Sequence, residues 1–266
     1  MKVSIAIPTY NSSRYIPECL KQIKKIKNVD EIIINDDFSE EQDYENLSNI
    51  VSKYSIKYNM NISLSRNTHN LGGFRNKYVA ISKTSNEYVY QIDSDNIPSL
   101  KANNFFHEEF ISRLNSETFY LPSEVYVFKD GQNPYISSFK KKYKVLISEE
   151  NLLLDRNNIV KASISKQKLF INVSNNWVFN LGNFIVNKNS FLEKMKFGYE
   201  NHELPLEADP LAMCYFWLKN NGKISIVKDF YHFHRLRSNS YWLTEGEKAE
   251  NSINHFDIEI RNLDYV

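Results

Sequence analysis

Val3-Ser4-Ile5-Ala6-Ile7-Pro8-Thr9-Tyr10-Asn11 is the stretch on which the fold is read. Residues 3–7 are almost wholly apolar, as in a strand buried on both faces of a parallel sheet. Pro8 lacks an N–H and is expected to end the ladder. Ser12 or Ser13 can then cap a helix over 14–26, where Tyr15, Cys19, Leu20, Ile23 and Ile26 recur at helical spacing. Outward from there, residues 31–35 hold a second buried strand and 41–55 a helix with Leu47, Ile50 and Val51 inward. Residues 61–65 read as a third strand, 74–84 as a helix and 88–92 as a fourth strand. This alternation predicts an α/β fold: a doubly wound, Rossmann-like, mostly parallel sheet with right-handed crossovers. Ligands bind such sheets beyond the C-terminal strand ends, which marks 8–11, 36–39, 67–73 and 93–96.

Composition narrows the function class. The chain has 266 residues, with 33 Lys+Arg against 32 Asp+Glu, a net charge of +1. That balance argues against nucleic-acid binding, which needs a dense basic surface. Two cysteines, Cys19 and Cys214, make no disulfide scaffold. No apolar run approaches the roughly 20 residues of a membrane span, and the apolar N-terminus is too short for a signal peptide. The expectation is a cytoplasmic protein, with oligomeric state left open. Lys21, Lys24, Lys25 and Lys27 line the first helix. They suit a solvated face, or contact with anionic headgroups on the inner side of a membrane.

The remainder is less regular. Residues 119–121 and 124–128 predict strands, Asp130-Gly131 a turn, and 139–145, with four lysines, a solvated stretch. Residues 190–196 and 208–221 predict helices, with Gly222 placed as the C-cap of the second. Residues 224–227 predict a strand, and the tail from 246 a helix with Ile253, Phe256 and Ile260 inward.

Three polar clusters follow the predicted strands. In Asp93-Ser94-Asp95 an extended backbone would point both carboxylates the same way. Such a pair repels unless a cation intervenes, and hard oxygen ligands with open positions suit Mg2+ or Mn2+ shared with a phosphate. Asp36-Asp37-Phe38-Ser39 reads either as an Asx turn with a helix cap or as an acceptor for a nucleotide base or ribose. In Asn70-Leu71-Gly72-Gly73-Phe74-Arg75-Asn76 the glycines permit close backbone approach, and Arg75 can partner a phosphate.

Together, Val3–Asn11 as quoted above, Ile33-Ile34-Asn35-Asp36-Asp37-Phe38-Ser39, Asn70-Leu71-Gly72 with Arg75-Asn76, and Asp93-Ser94-Asp95-Asn96 resemble the family-2 glycosyltransferases of the GT-A fold, in order and spacing. The chain departs from the family at Phe38, where glycine is usual. The resemblance implies a nucleotide-sugar site built from Pro8, Thr9, Tyr10, Asn11, Asp37, Asn70, Gly72, Arg75, Asp93, Ser94 and Asp95. In it Tyr10 packs near the base, Asp37 accepts a hydrogen bond from the base, most often uracil, and Arg75 lies near the base or diphosphate. Asp93 contacts ribose or sugar, and Asp95 holds a divalent metal on the diphosphate.

The second half matches more loosely. Leu181-Gly182-Asn183-Phe184 is similar to the family's acceptor-side segment. Gly182, Asn183 and Trp177 are the acceptor-side residues expected, with core packing an equal alternative for Trp177 and for Trp242. Glu207-Ala208-Asp209 stands where the family has adjacent acids, one of them the catalytic base. Asp209 is the first choice here and Glu207 the second, while acids stabilising a helix N-terminus are the plain alternative. His234 matches a histidine that completes the metal shell, or else belongs with His232 to a structural pair on one strand face. The resemblance implies an inverting hexosyl- or N-acetylhexosaminyltransferase that uses a UDP-sugar and Mn2+ or Mg2+. The acceptor would be a glycan or lipid-linked glycan in bacterial surface polysaccharide synthesis. The expected organisation is a catalytic domain over 1–225, with a nucleotide-sugar half (1–100) and an acceptor half (101–225), and a C-terminal extension (226–266) closing the site. A nucleotidyltransferase-like enzyme and an inactive carbohydrate-binding relative are the alternatives.

Overall fold

The computed structural model describes residues 1–98, 106, 108–136, 140–144, 151–157, 182–238 and 246–265. Four strands, β1 (Val3–Thr9), β2 (Val29–Asp36), β3 (Ile62–Arg66) and β4 (Tyr88–Gln91), run parallel in the order β3-β2-β1-β4. The helices between them are α1 (Ile16–Ile23), α2 (Glu41–Tyr58) and α3 (Gly73–Ser82). Strand alternation divides the core. Val3, Ile5, Ile7, Tyr88 and Tyr90 pack with Ile16, Leu20 and Leu47 of α1 and α2, whereas Ala6 and Val89 join the opposite cluster with Phe74 and Ile81 of α3.

Beyond β4 the sheet turns mixed. The short β5 (Ile97–Pro98) and helix α4 (Glu108–Ser112) precede β6 (Thr118–Lys129), β7 (Lys140–Lys144) and β8 (Asn151–Leu154). Then come β9 (Phe184–Asn187), helices α5 (Lys188–Glu200) and α6 (Asp209–Lys219), strand β10 (Lys223–Leu236) and helix α7 (Gly246–Arg261). The sheet continues β4-β9-β6-β10-β5, with β9 antiparallel to β4 and β10 parallel to β6.

Several expectations change. Pro8 does not end β1: it stands in register with Asn35, and Thr9 with Asp36. The Ala6 carbonyl points to β4, where it accepts from the Ile92 N–H (3.0 Å), and Pro8, two residues on, points the same way. The β4 ladder has ended by then, so no N–H is missed. The two strands expected at 119–121 and 124–128 are one. Pro122 falls beside the place where β10 shifts register between Val227 and Tyr231, which tolerates a missing donor. The lysine-rich 139–145 contains β7, antiparallel to β6, and lysine is a common guard of outer strands. β10 extends nine residues past 227, so the 225/226 boundary falls inside a strand. Asn221 (φ +58°), not Gly222, takes the left-handed conformation after α6. Gly222 instead donates its N–H to the Trp217 carbonyl (2.9 Å), and a Cβ there would meet the indole at 2.3 Å.

Trp217 anchors the layer that carries α6. It is fully buried, packs edge-on against Phe119 and donates its indole N–H to the carbonyls of Glu117 (3.1 Å) and Lys223 (3.0 Å). Trp217→Ala is expected to cost about 3–5 kcal/mol of stability, read from urea unfolding. A loss within about 0.5 kcal/mol, the usual surface value, would contradict this packing role.

Candidate active site

The C-terminal ends of β1, β2 and β4 converge with the loop before α3. After β2, Asp36 is buried and accepts from the Ser39 N–H (3.0 Å), while Arg66 pairs with it at 3.3 Å. Phe38 takes φ +64°, the conformation glycine favours, so the turn keeps a glycine geometry at a steric cost of about 1–2 kcal/mol. The Asp37 carboxylate accepts from the N–H groups of Leu71 (2.9 Å) and Gly72 (2.9 Å) and from the Asn67 amide (2.8 Å). It thereby fixes the 67–72 loop, in which the Asn70 side chain also accepts from the Gly72 N–H (3.0 Å). Burial raises the Asp37 pKa, and those three donors oppose the rise.

An asparagine network that the sequence did not mark supports this edge. Asn35 donates to Asn67 (3.0 Å) and Asn76 (2.7 Å), and Asn76 donates to the Thr9 carbonyl (3.3 Å). The Thr9 hydroxyl is buried without a hydrogen-bond partner among the described residues. Tyr10, 48% exposed, stands at the rim. Asn11 ties the first loop to the second, its N–H donating to Ser39 Oγ (2.8 Å) and its side chain accepting from the Glu40 N–H (2.9 Å). Arg75 turns away from this edge. Its guanidinium donates to the carbonyls of Tyr199 (3.1 Å) and Asn201 (2.7 Å), binding α3 to the end of α5.

The Asp-Ser-Asp segment is a tight turn rather than a strand continuation, closed by the Asn96 N–H on the Asp93 carbonyl (3.0 Å). Its two carboxylates therefore meet different cations. Asp93 Oδ1 lies 3.1 Å from Lys77 Nζ, whereas Asp95 Oδ2 pairs with Arg237 Nε at 2.8 Å. Ser94 is buried between them. Gly182 (φ +67°) crowds Asp93, since a Cβ there would lie 1.8 Å from Asp93 Oδ2. The Asn183 side-chain Oδ1 accepts from the Asp93 N–H (3.1 Å) and the Asn96 side-chain amide (3.1 Å). Both residues were expected on the acceptor side, and both brace the Asp93 turn. Trp177 and Trp242 lie outside the described residues.

Two distant segments complete the cluster. Asp209 opens α6 and pairs with the same Lys77 ammonium that touches Asp93. Lys77 sits in the second turn of α3, 5% exposed. Burial alone would pull its pKa down, but Asp209 and Asp93 outweigh burial and hold it above the ordinary lysine value. Burial pushes Asp93 up to about 6; Lys77 opposes the rise, and Asp209 and Asp95 add to it. Glu207 points elsewhere: one carboxylate oxygen is buried with no hydrogen-bond partner among the described residues, and its charge bears on Arg75. Along β10, His234 is held neutral by burial, partly offset by Asp95, and its Nδ1 is buried without a partner among the described residues. His232 on the same strand is wholly buried. Behind α6, Ser252 of α7 accepts from the Ala208 N–H (2.9 Å), and Phe256 packs on Tyr215 and Phe216. Of the 226–266 segment, then, β10 reaches the site while α7 braces α6.

Residues 4–102 match the family model "Glycosyl transferase family 2". This segment belongs to that family. Over 99 residues the chain is 38% identical to the poly(ribitol-phosphate) beta-N-acetylglucosaminyltransferase TarS of Staphylococcus aureus, an alignment covering 36% of this chain and 16% of that protein. The chain thus spans a small part of the length of this curated relative. Residues 1–349 of S. aureus TarS in complex with UDP-GlcNAc superpose with a TM-score of 0.62 at 21% identity, covering 98% of this chain and 67% of the other. GalNAc-T7 with UDP, GalNAc and Mn2+ gives 0.56 at 13% identity, covering 89% and 43%. The family-2 segment therefore sits in a GT-A fold that extends over the chain.

The residues named for a divalent ion pass a chemical test. Asp95 offers a hard carboxylate, and His234 offers a neutral imidazole with a buried, unpartnered Nδ1. The described residues hold no cluster of three or more His, Cys, Asp or Glu ligands, so the donor's phosphate oxygens would have to complete the shell. No helix among the described residues is long and apolar enough to cross a membrane.

Proposed function

We propose that the protein is an inverting glycosyltransferase that moves a sugar, an N-acetylhexosamine or a hexose, from a UDP-linked donor to a hydroxyl of a surface polysaccharide, wall polymer or lipid-linked glycan. One observation carries the reading: the acid that opens α6, remote in sequence, is joined through Lys77 to the Asp-Ser-Asp turn at the C-terminal edge of a family-2 sheet. The UDP-GlcNAc on TarS and the UDP on GalNAc-T7 support the donor class. Cytoplasmic residence, with peripheral membrane contact through Lys21 of α1 and the exposed Lys24, Lys25 and Lys27 just past its end, accords with a lipid-linked acceptor.

In this reading the nucleotide lies across the ends of β1 and β2, its base beside Tyr10 and Asp37. Asp209 takes the proton from the acceptor hydroxyl. The acceptor oxygen bonds to C1 as the C1–phosphate oxygen bond breaks, and UDP leaves on the opposite face. Asp95 and His234 would hold Mn2+ or Mg2+, whose charge stabilises the leaving diphosphate.

The test is release of UDP from UDP-GlcNAc, with water as acceptor where no glycan is supplied. An inactive carbohydrate-binding relative would release none. The base pocket has its own test. Asp37→Ala is expected to weaken UDP binding by about 1.5–3 kcal/mol, the range for hydrogen bonds to charged groups, together with slackening of the 67–72 loop. Unchanged affinity in a calorimetric titration would place the base elsewhere.

A further inference from the structure

Lys77 lies outside the motif residues that carry the family resemblance, yet it makes the contact that assembles the site. Its side chain is 6% exposed, and its ammonium lies between Asp93 Oδ1, 3.1 Å away, and Asp209 Oδ2. Glycines line both flanks of this triad. A Cβ on Gly73 would sit 3.0 Å from Asp209 Oδ2, and one on Gly182 would sit 1.8 Å from Asp93 Oδ2. The three charged groups come from α3, the turn after β4 and the start of α6.

We infer that Lys77 is a positioning residue for Asp209: it clamps one carboxylate oxygen and leaves the other to face the acceptor hydroxyl. This rests on the glycosyltransferase reading with Asp209 as base. The physical need is plain. Two carboxylates drawn together in a half-buried site repel, and without a cation between them one would swing away or take up a proton. A buried ammonium joined to both removes that choice and holds the base within the small positional tolerance that proton transfer demands. Lysine suits the place, because three donors on one compact charge can serve two acids that lie in different directions.

Because Lys77 acts through Asp209, its loss and the loss of Asp209 should not multiply. UDP release from UDP-GlcNAc is measured for the wild type, Lys77→Met, Asp209→Asn and the double variant, each with its melting temperature. Lys77→Met is expected to lower kcat about 10–100-fold with KM for UDP-GlcNAc changed less than about threefold, a geometric loss rather than a binding loss. The double variant should match Asp209→Asn alone within about threefold. It also leaves one acid and no lysine, so it folds without the uncompensated pair if Lys77→Met does not. Wild-type release with Lys77→Met unimpaired, or single effects that multiply in the double variant, would overturn the positioning role alone. No UDP release by the wild type would overturn the transferase reading and this role with it.

Discussion

Asp209→Asn lowers turnover by about 10²–10⁴-fold while leaving UDP affinity nearly unchanged, the expected signature of a lost general base. The geometry favours this acid over its neighbour. Asp209 stands at the first position of α6, where helix N-terminal charge favours a carboxylate, and it shares a cation with Asp93 of the donor edge. Glu207 lies two residues earlier, ahead of the helix, and bears on Arg75, whose guanidinium is spent on the carbonyls of Tyr199 and Asn201. Glu207→Gln is therefore expected to leave kcat within about threefold of wild type, against the 10²-fold or greater loss at a true base. Steady-state kinetics of both variants decides. If Glu207→Gln carries the large kcat loss and Asp209→Asn does not, the two roles are exchanged.

Asp95→Asn is expected to abolish metal-dependent donor binding while the protein stays folded. Asp95 meets Arg237 at 2.8 Å in a 16%-exposed position, and His234 beside it is held neutral, the protonation state a metal ligand needs. Thermal shift with UDP, with and without Mn2+, reads the effect. Saturating ligand at 100 times its dissociation constant adds about 2.7 kcal/mol to the wild type and nothing to the variant. A variant stabilised by UDP and Mn2+ as well as the wild type would remove Asp95 from the metal site.

The first four strands and their parallel pairing were legible because parallel strands covered on both faces appear as apolar runs such as Val3–Ile7 and Ile32-Ile33-Ile34. The tail helix was equally plain, with Ile253, Phe256 and Ile260 inward as their spacing indicated. What failed depended on long-range pairing. The lysines of β7 look like solvated chain until β6 supplies a partner. Pro8 looks like a strand end until the side it faces is known, and 119–128 looks like two strands until its register with β10 is known.

In the site, Asp37, Asp93, Asp95 and Asp209 were each visible as acids after a strand or before a helix. Lys77 was not, since a lysine at an inward helical position gives no local sign that two acids from remote segments await it. The joining of Asn35, Asn67 and Asn76 into one network escaped for the same reason, although the first and last stand in the matched blocks: they are separate asparagines until the sheet edge joins them. The parallel aim expected for Asp93 and Asp95 failed because Asn96 closes a turn where extended backbone was assumed.

A structure of the protein crystallised with UDP and Mn2+ tests the central claim most directly. The account predicts the uracil beside Asp37 and Tyr10, the diphosphate reaching the Asp95–His234 edge, and Asp209 facing the space where the sugar's C1 would lie. Nucleotide bound away from the ends of β1, β2 and β4, or no nucleotide at saturating UDP, would contradict it.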